Sequence, residues 1–290
     1  MLRTSLTVVV PAYNEEASLP VFLPQLLDCC ERNGWQLIVV DDGSVDGTAL
    51  VLQDFAAHAR LRVVRHKVNR GYGGALKSGI AAADTPYVLT VDADGQHFPE
   101  DLEVLVADLR ARDADMVVGC RRGASVSGWY RALGKAAIRF VANRLLDLEI
   151  YDINSGLKVY DAVLAKSYLH LCPDSMAFSD VITLVFISRR HRVCERDIRI
   201  RPRLAGSSSI TTATAFDTVK EVLNIVVLFN PMRIFLPVAL ASVALGMLWG
   251  LPIVLRGHGV SVGAMLAIVT GVVFFFLGLL AEQISQIRRS

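Results

Sequence analysis

The chain has few cysteines, little excess charge of either sign and none of the commonest nucleotide-binding signatures. Its five cysteines are odd in number and lack C-x-x-C spacing, which argues against both a disulfide framework and a zinc site. A formal net charge of +2 is far from the strongly basic composition that is typical of nucleic-acid-binding domains. There is no Walker A sequence, and residues 69–74 are glycine-rich without the third glycine of a Rossmann fingerprint, because Leu76 takes its place.

Charged residues become scarce after Asn230. Two apolar segments follow, at about 234–255 and 260–281, and each is long enough to cross a bilayer core of about 30 Å, which takes roughly 20 helical residues. Only residues 256–259 separate them, so they predict a transmembrane hairpin. The alternative is a pair of helices buried in a large soluble core.

Basic residues flank the predicted hairpin. Arg233 precedes the first span, and Arg288 and Arg289 follow the second, so the positive-inside tendency places both chain ends in the cytoplasm, although Arg256 in the loop weakens the bias. The N-terminal apolar run, residues 6–10, is too short for a signal peptide. We therefore expect a two-span protein of the cell membrane with a cytoplasmic catalytic domain.

A short segment before the hairpin has helical amphipathicity. Between residues 214 and 229, Phe216, Val219 and Leu223 share one helical face, and Glu221 lies on the other. This pattern predicts a helix lying in the lipid headgroups, with an ordinary packing helix as the alternative. The predicted domains are then residues 1–212, an interfacial helix at 213–231 and the hairpin at 232–290.

Short apolar runs alternate with helical patterns in the first 120 residues. Alternation of this kind predicts an α/β fold with a mostly parallel central sheet, whose ligands bind at the carboxyl ends of the strands. Polar residues follow four of the runs, at 13–15, 41–42, 92–94 and 121–122, and are expected to converge on one crevice. Strands are predicted at 6–10, 37–40, 61–65, 87–91 and 115–119, and helices at 15–30, 48–58, 74–83 and 102–111.

The sequence Asp92-Ala93-Asp94-Gly95-Gln96 directly follows an apolar run. Carboxylates at positions i and i+2 of an extended chain project to the same side. Two such hard oxygen ligands suit Mg²⁺ or Mn²⁺, and Gln96 offers a further oxygen. The glycine-rich bend at 69–74, before a helix, is expected to turn backbone N–H groups toward phosphate.

These motifs together resemble the family 2 glycosyltransferases with the GT-A fold. The resemblance covers about residues 5 to 210. Within the family, the chain looks like the branch of dolichol-phosphate mannose synthases and polyprenyl-phosphate glucosyltransferases. It rests on four ordered motifs: residues 10–16 (VPAYNEE), residues 40–48 (VDDGSVDGT), residues 69–79 and residues 92–96.

The resemblance implies roles for individual residues. Asp92, Asp94 and Gln96 would hold the metal and the diphosphate. Asp152 and Asp180 would bind the sugar. The expected catalytic residues are Asp94, Arg121, Arg131, Asp152 and Asp180. The implied nucleotide-binding residues are Pro11, Tyr13, Glu15, Asp42, Lys77, Asp92 and Ala93.

The acceptor phosphate would be held by basic residues. Arg121 and Arg131 match two arginines of the family, whereas Lys135 stands where relatives often have a serine and could bind phosphate as a point charge. The loop that closes over the diphosphate ends in Ser209-Ile210 here rather than in Ser-Lys, so any lysine role is absent. Its expected contacts are Arg201, Arg203, Ser207 and Ser208.

The function implied by the resemblance is inverting transfer of a hexose from a nucleotide-sugar, UDP-glucose or GDP-mannose, to a polyprenyl phosphate. One alternative is a processive polysaccharide synthase, although the usual Gln-x-x-Arg-Trp signature is missing. The other is an inactive membrane scaffold that kept the fold. Expected partners are the donor, the lipid, the membrane and a second copy of the chain in a homo-oligomer.

Overall fold

The protein contains an α/β unit and a helical hairpin. A computed structural model describes residues 5–121, 150–202 and 231–289. The first two ranges belong to one compact unit and the third belongs to another. Five residues with predicted site roles lie outside the described residues, as does the predicted interfacial helix: Arg131, Lys135, Arg203, Ser207 and Ser208.

Strands and helices alternate along most of the α/β unit. The strands are β1 (Leu6–Ala12), β2 (Gln36–Asp41), β3 (Leu61–Arg65), β4 (Tyr87–Thr90), β5 (Met116–Cys120), β6 (Lys158–Asp161) and β7 (Val193–Asp197). The helices are α1 (Leu19–Asn33), α2 (Thr48–Asp54), α3 (Tyr72–Ala82), α4 (Pro99–Ala111), α5 (Ala162–Tyr168) and α6 (Phe178–Ser188). Each of the nine predicted elements is present; β3 has the predicted ends, and the others differ at one or both ends.

The sheet is mostly parallel, as predicted. Its strand order is β3-β2-β1-β4-β6-β5-β7, and only β6 runs against its two neighbours. The carboxyl ends of β1, β2, β4 and β5 therefore lie at the same edge of the sheet, and the antiparallel β6 brings its first residue, Lys158, to that edge. This arrangement explains how polar groups distant in the sequence come together.

The central strands are continuous apolar runs because both faces of a parallel sheet are covered. All seven residues of β1 are buried. On one face, α1 and α4 pack their apolar sides, including Phe22, Leu26, Leu102 and Leu105, into the main core. Helix α1 begins at Leu19 rather than at Glu15, because residues 15–18 form a separate turn in which the Glu15 carbonyl accepts from the amide of Ser18.

The hairpin consists of α7 (Met232–Leu255) and α8 (Val262–Arg289). Both are long and apolar enough to cross a membrane, and only 11% and 17% of their most apolar windows are buried. Such exposure disfavours the alternative of a soluble core. Small residues line the contact: a Cβ at Gly246 would lie 2.8 Å from the Ala264 carbonyl oxygen, a close approach typical of membrane helices.

Candidate active site

Asp92 lies just beyond the end of β4 and is fixed from two sides. Its Oδ1 accepts a hydrogen bond of 2.8 Å from the hydroxyl of Tyr72, the first residue of α3. Burial, together with the charge of Asp92, raises the pKa of Tyr72 well above its usual value, so this phenol stays protonated and donates. On the other side, a Cβ at Gly156 would lie 2.6 Å from both Cγ and Oδ1 of Asp92. Only glycine leaves room for the carboxylate there.

Asp94 begins a tight turn that carries further polar groups. Its Oδ1 accepts from the amide of Gln96 at 3.1 Å, and Gly95 adopts a φ of 69°. The turn delivers His97, which is 4% exposed and whose Nδ1 has no hydrogen-bond partner among the described residues. Burial lowers the pKa of His97, while the carboxylates of Asp92 and Asp94 oppose that shift. Sequence reasoning missed His97, although it directly follows Gln96.

Arg121 and Asp152 form a bidentate ion pair at the end of β5. The guanidinium Nε and Nη2 donate to the two carboxylate oxygens at 2.7 and 2.8 Å, and the Arg121 amide donates to Oδ2 at 3.1 Å. Burial acts to raise the pKa of Asp152, but the hydrogen bonds and charge of Arg121 outweigh it and leave the pKa lowered. The Arg121 side chain remains 37% exposed, so the ion pair does not bury it completely.

Lys158 is a fully buried lysine at the start of β6. Its ammonium donates to the carbonyl of Ile153 at 2.7 Å and to that of Ser179, which joins the segment carrying Asp152 to the first turn of α6. Burial lowers the pKa of Lys158 to about 7, against the opposing charges of Asp180 and Asp152. Lys158 therefore joins the two segments that carry Asp152 and Asp180, to which sugar binding is predicted.

The loops after β1 and β2 hold each other. Asn14, with a φ of 56°, accepts from the amide of Val45 and donates its own amide to Ser44, and the Glu15 amide donates to Thr48 Oγ1 at 2.8 Å. Pro11 is buried at the strand end, whereas the Tyr13 side chain is 45% exposed beside it. An exposed aromatic ring on a fixed loop is suited to stacking against a nucleobase.

Asp42 is 2% exposed and is bound by the chain itself. Its carboxylate accepts from the amides of Arg70 and Gly71 at 2.9 and 2.8 Å and from His66 Nδ1 at 2.6 Å. The expectation that these glycine-rich amides face phosphate is thus wrong for Arg70 and Gly71. They are directed at Asp42 because the loop needs a buried carboxylate to satisfy its donors.

The glycines of residues 71–74 serve close packing. A Cβ at Gly71 would lie 2.5 Å from the Asp174 carbonyl oxygen, and one at Gly73 would lie 2.8 Å from that of Ser175. Lys77, on the same helix, pairs with the Asp174 carboxylate at 2.7 Å. The helix α3 is therefore fastened to the loop that precedes α6, and the predicted nucleotide contact of Lys77 would require this ion pair to open.

Comparison with protein families fits this geometry. A family model described as glycosyl transferase family 2 matches residues 7–169. The chain belongs to glycosyl transferase family 2. A second model, described as the GtrB C-terminal hairpin, matches residues 230–287 of this glycosyltransferase.

Two curated relatives carry names of polyprenyl-phosphate enzymes. The undecaprenyl-phosphate 4-deoxy-4-formamido-L-arabinose transferase of Pectobacterium carotovorum subsp. carotovorum (strain PC1) is 30% identical over 98% of this glycosyltransferase and 89% of its own length. The dodecaprenyl-phosphate galacturonate synthase of Rhizobium johnstonii is 29% identical over 56% of this chain and 49% of its own.

Solved structures share the fold of the α/β unit. Glucosyl-3-phosphoglycerate synthase from Mycobacterium tuberculosis, crystallised with Mn²⁺, UDP and phosphoglyceric acid, superposes with a TM-score of 0.59 at 22% identity over 78% of this chain and 79% of that one. TarS residues 1–349 from S. aureus, with UDP, gives 0.55 at 19% identity over 78% and 66%. The predicted family and the predicted GT-A fold are confirmed.

The described residues of this glycosyltransferase fit a hard divalent cation. Asp92 and Asp94 offer carboxylate oxygens beyond the strand end, Gln96 offers an amide oxygen, and the absence of a side chain at Gly156 makes room for the Asp92 carboxylate. In the parts of the chain that the structure describes, no group of three or more His, Cys, Asp or Glu residues is placed to hold a metal ion. The remaining ligands of a bound ion would therefore come from substrate phosphates or water, as is usual for Mg²⁺.

Charged groups at neighbouring strand ends act on one another. The charge of Asp92 acts on Arg121, on Lys158 and on His97, and the charge of Asp180 acts on Lys158. Of the four polar clusters predicted to converge, the two that follow β4 and β5 are coupled in this way, through Asp92 and Arg121. Arg201, predicted to contact the diphosphate, instead directs its side chain at the backbone of residues 95–97.

Most of the cysteine thiols are buried. Four of the five cysteines are buried, and all are free. Burial, assisted by Glu103, raises the pKa of Cys29 to about 12, and burial raises the pKa of Cys172 to about 12 as well. Thiols with so little thiolate at neutral pH are poor nucleophiles and poor metal ligands.

Proposed function

We propose that this protein transfers one hexose, with inversion, from a nucleotide-sugar to a polyprenyl phosphate at the cytoplasmic face of a membrane. The observation that carries the proposal is the grouping of Asp92 with Arg121 and Asp152 at the carboxyl edge of the sheet, in a chain that also has an apolar hairpin. Both substrates of such a reaction carry phosphate. The acidic groups would bind a metal ion for the donor diphosphate, and the basic group would bind the acceptor phosphate.

On the donor side, Asp92, Asp94 and Gln96 would hold Mg²⁺ or Mn²⁺. Such an ion, when bound, would neutralise charge on the departing nucleoside diphosphate. Tyr72 keeps the Asp92 carboxylate in place through its 2.8 Å hydrogen bond. Tyr13, half exposed just after β1, would stack on the base.

On the acceptor side, a lipid phosphate needs screening more than it needs a base. The second pKa of a phosphate monoester is near 6, so the group is largely dianionic at pH 7 and is already nucleophilic. The exposed part of the Arg121 guanidinium would bind it, while Asp152 holds the guanidinium in a fixed orientation. Attack by the phosphate oxygen on the anomeric carbon, opposite the departing diphosphate, would invert the configuration.

The hairpin would bring the catalytic unit to the lipid. Removing a polyprenyl chain from the bilayer costs about 0.8 kcal/mol for each CH₂ exposed to water, so the phosphate must react at the membrane surface. With both chain ends cytoplasmic, the catalytic unit would meet the acceptor on the side where nucleotide-sugars are made.

Relatives support the acceptor class and leave the sugar open. The two curated relatives are named for transfer to undecaprenyl phosphate and for a dodecaprenyl-phosphate product, but the names carry two different sugars. UDP-glucose and GDP-mannose are the donors that we propose to test first.

The direct test is turnover by the purified full chain in detergent. It would be incubated with undecaprenyl phosphate, Mn²⁺ and one nucleotide-sugar at a time, UDP-glucose and GDP-mannose among them. The mass of the lipid product would be measured by mass spectrometry. We expect one sugar per lipid and an anomeric configuration opposite to that of the donor. Longer products would indicate a processive synthase, and no product with any donor would favour a scaffold.

The Asp94→Asn variant tests the metal assignment. It removes a carboxylate charge with little change in shape, so we expect transfer to fall by at least about 100-fold while the thermal unfolding midpoint and membrane extraction stay unchanged. A variant that keeps wild-type turnover would contradict the assignment of Asp94.

A further inference from the structure

Arg201 makes an unusual number of contacts with one short loop. This residue lies past the end of β7, and its guanidinium donates to the carbonyls of Gly95 and His97. Its Nη2 also donates to Gln25 Oε1 in α1 at 2.9 Å. The side chain therefore ties the loop that follows Asp94 to the first helix of the fold.

The backbone of Arg201 continues the same attachment. Its amide donates to the carbonyl of Gln96 at 3.0 Å, and residues 97 and 200 form an antiparallel bridge. Arg201 thus donates to all three carbonyls of residues 95–97. Its own carbonyl accepts a hydrogen bond of 3.5 Å from Gln96 Nε2. That bond does not use Gln96 Oε1, the atom proposed to bind the metal.

Aromatic rings complete the setting of the guanidinium. Its Cζ lies 5.1 Å from the ring centre of Phe98 and 5.9 Å from that of Phe22. A planar fork with five donors satisfies several carbonyls while stacking on rings, which an ammonium group cannot do. The site is therefore specific for arginine rather than for positive charge.

We infer that Arg201 is a positioning residue that fixes the metal-binding loop of residues 94–97, rather than a ligand of the diphosphate. The inference rests on the proposed function, in which Asp94 and Gln96 hold the metal. Partners that orient metal ligands typically change metal affinity or activity by about 10–100-fold when altered. Two of the three guanidinium nitrogens donate to the protein, and two of their three bonds go to carbonyls of the loop.

The test compares Arg201→Lys with Arg199→Lys in the full chain. Arg199 is a matched control because it lies two residues earlier and also faces the Phe98 ring, at 4.7 Å, but pairs with Asp101 instead of with the loop. Two titrations separate the roles: Mn²⁺ at saturating UDP or GDP, followed by electron paramagnetic resonance, and nucleotide at saturating Mn²⁺, followed by calorimetry.

We expect Arg201→Lys to weaken Mn²⁺ binding by about tenfold and to leave nucleotide affinity at saturating Mn²⁺ close to wild type. Hydrogen exchange at the amides of residues 95–97 should become faster, and Arg199→Lys should change neither quantity. An Arg201→Gln variant should reproduce the result if the lysine variant is too unstable to assay.

Two outcomes would overturn the inference. One is nucleotide affinity that falls at saturating Mn²⁺ while Mn²⁺ binding is unchanged, as a direct diphosphate contact requires. The other is a wild-type protein that binds no Mn²⁺, because the loop would then hold no metal. Failure of the proposed function is distinct: the wild-type chain would bind Mn²⁺ and nucleotide but transfer no sugar to undecaprenyl phosphate, and the titrations would still decide the role of Arg201.

Discussion

Replacing Gly156 with alanine should displace Asp92 without replacing any titratable side chain. The new Cβ would lie 2.6 Å from Cγ and Oδ1 of Asp92, whereas real Cβ atoms essentially never come within 3.0 Å of a neighbouring heavy atom. The approach to Oδ2 is closer still, so the carboxylate must move. Gly156 is not among the glycines with positive φ, so the backbone itself accepts alanine.

The size of the effect follows from the required displacement. A shift of about 0.5 Å or more exceeds the tolerance within which catalytic groups have to be held. The shift also strains the 2.8 Å hydrogen bond from Tyr72, and a hydrogen bond to a charged group contributes about 1.5–3 kcal/mol. We therefore expect Mn²⁺ affinity and turnover to fall by about 10–100-fold.

The assay pairs Gly156→Ala with Tyr72→Phe and the double variant. Tyr72→Phe removes the hydroxyl donor without crowding the carboxylate, so its effect should be smaller. The double variant should lose less than the two single losses combined, because both act on Asp92. Mn²⁺ binding and initial rates would be measured beside the thermal midpoint. A folded Gly156→Ala protein with wild-type Mn²⁺ affinity and turnover would refute the proposed position of Asp92.

Two further predictions concern an ion pair and the hairpin. The pKa of Asp152 is lowered in the fold because Arg121 outweighs burial, so the pair stabilises the protein above the unfolded pKa of about 3.9 and the stabilisation is lost as pH falls through the folded pKa. The urea-midpoint difference between wild type and Asp152→Asn should therefore shrink below about pH 4; a difference unaffected by acid contradicts this. A Cβ at Gly271 would lie 2.7 Å from the Ala239 carbonyl oxygen, so Gly271→Leu should destabilise the helix contact by about 1–3 kcal/mol through overpacking and lower the helical melting temperature in detergent. Val272→Leu, half exposed beside it, should not, and equal melting of the two would argue against the close helix contact.

Local sequence determined much of the fold in advance. Runs such as residues 6–10 and 37–40 are apolar on both faces, which only a covered parallel strand or a buried helix explains, and their shortness favours strands. The length of the two C-terminal segments relative to a bilayer made the hairpin predictable. The sequence also marked Asp92 and Asp94 as a pair of carboxylates after an apolar run, but they lie beyond β4, where the chain enters a turn, so the common direction expected of an extended segment does not carry over to them.

Other features depend on groups that meet only in three dimensions. The antiparallel β6 and the elements after it had no strong periodic signal, and their placement brings Gly156 and Lys158 to the site. The Asp42 carboxylate was expected to meet a ligand, but the fold gives it the amides of residues 70–71, about thirty positions away. A buried carboxylate needs hydrogen-bond donors, and the fold decides which donors lie near it. The number of residues between two groups does not give their distance in space.

The sequence by itself determined which chemical groups the protein carries and the strand ends that present them, because strand and helix periodicity and carboxylate spacing are local properties of the chain. Tertiary structure decided which of those groups hold one another. Arg201 and Arg199 are two residues apart in the sequence, yet one binds the carbonyls of residues 95–97 and the other pairs with Asp101. Residues two apart in an extended segment leave the backbone on the same side, and both guanidinium groups lie over the Phe98 ring. The difference therefore arises from the acceptors that the folded chain brings beside each one.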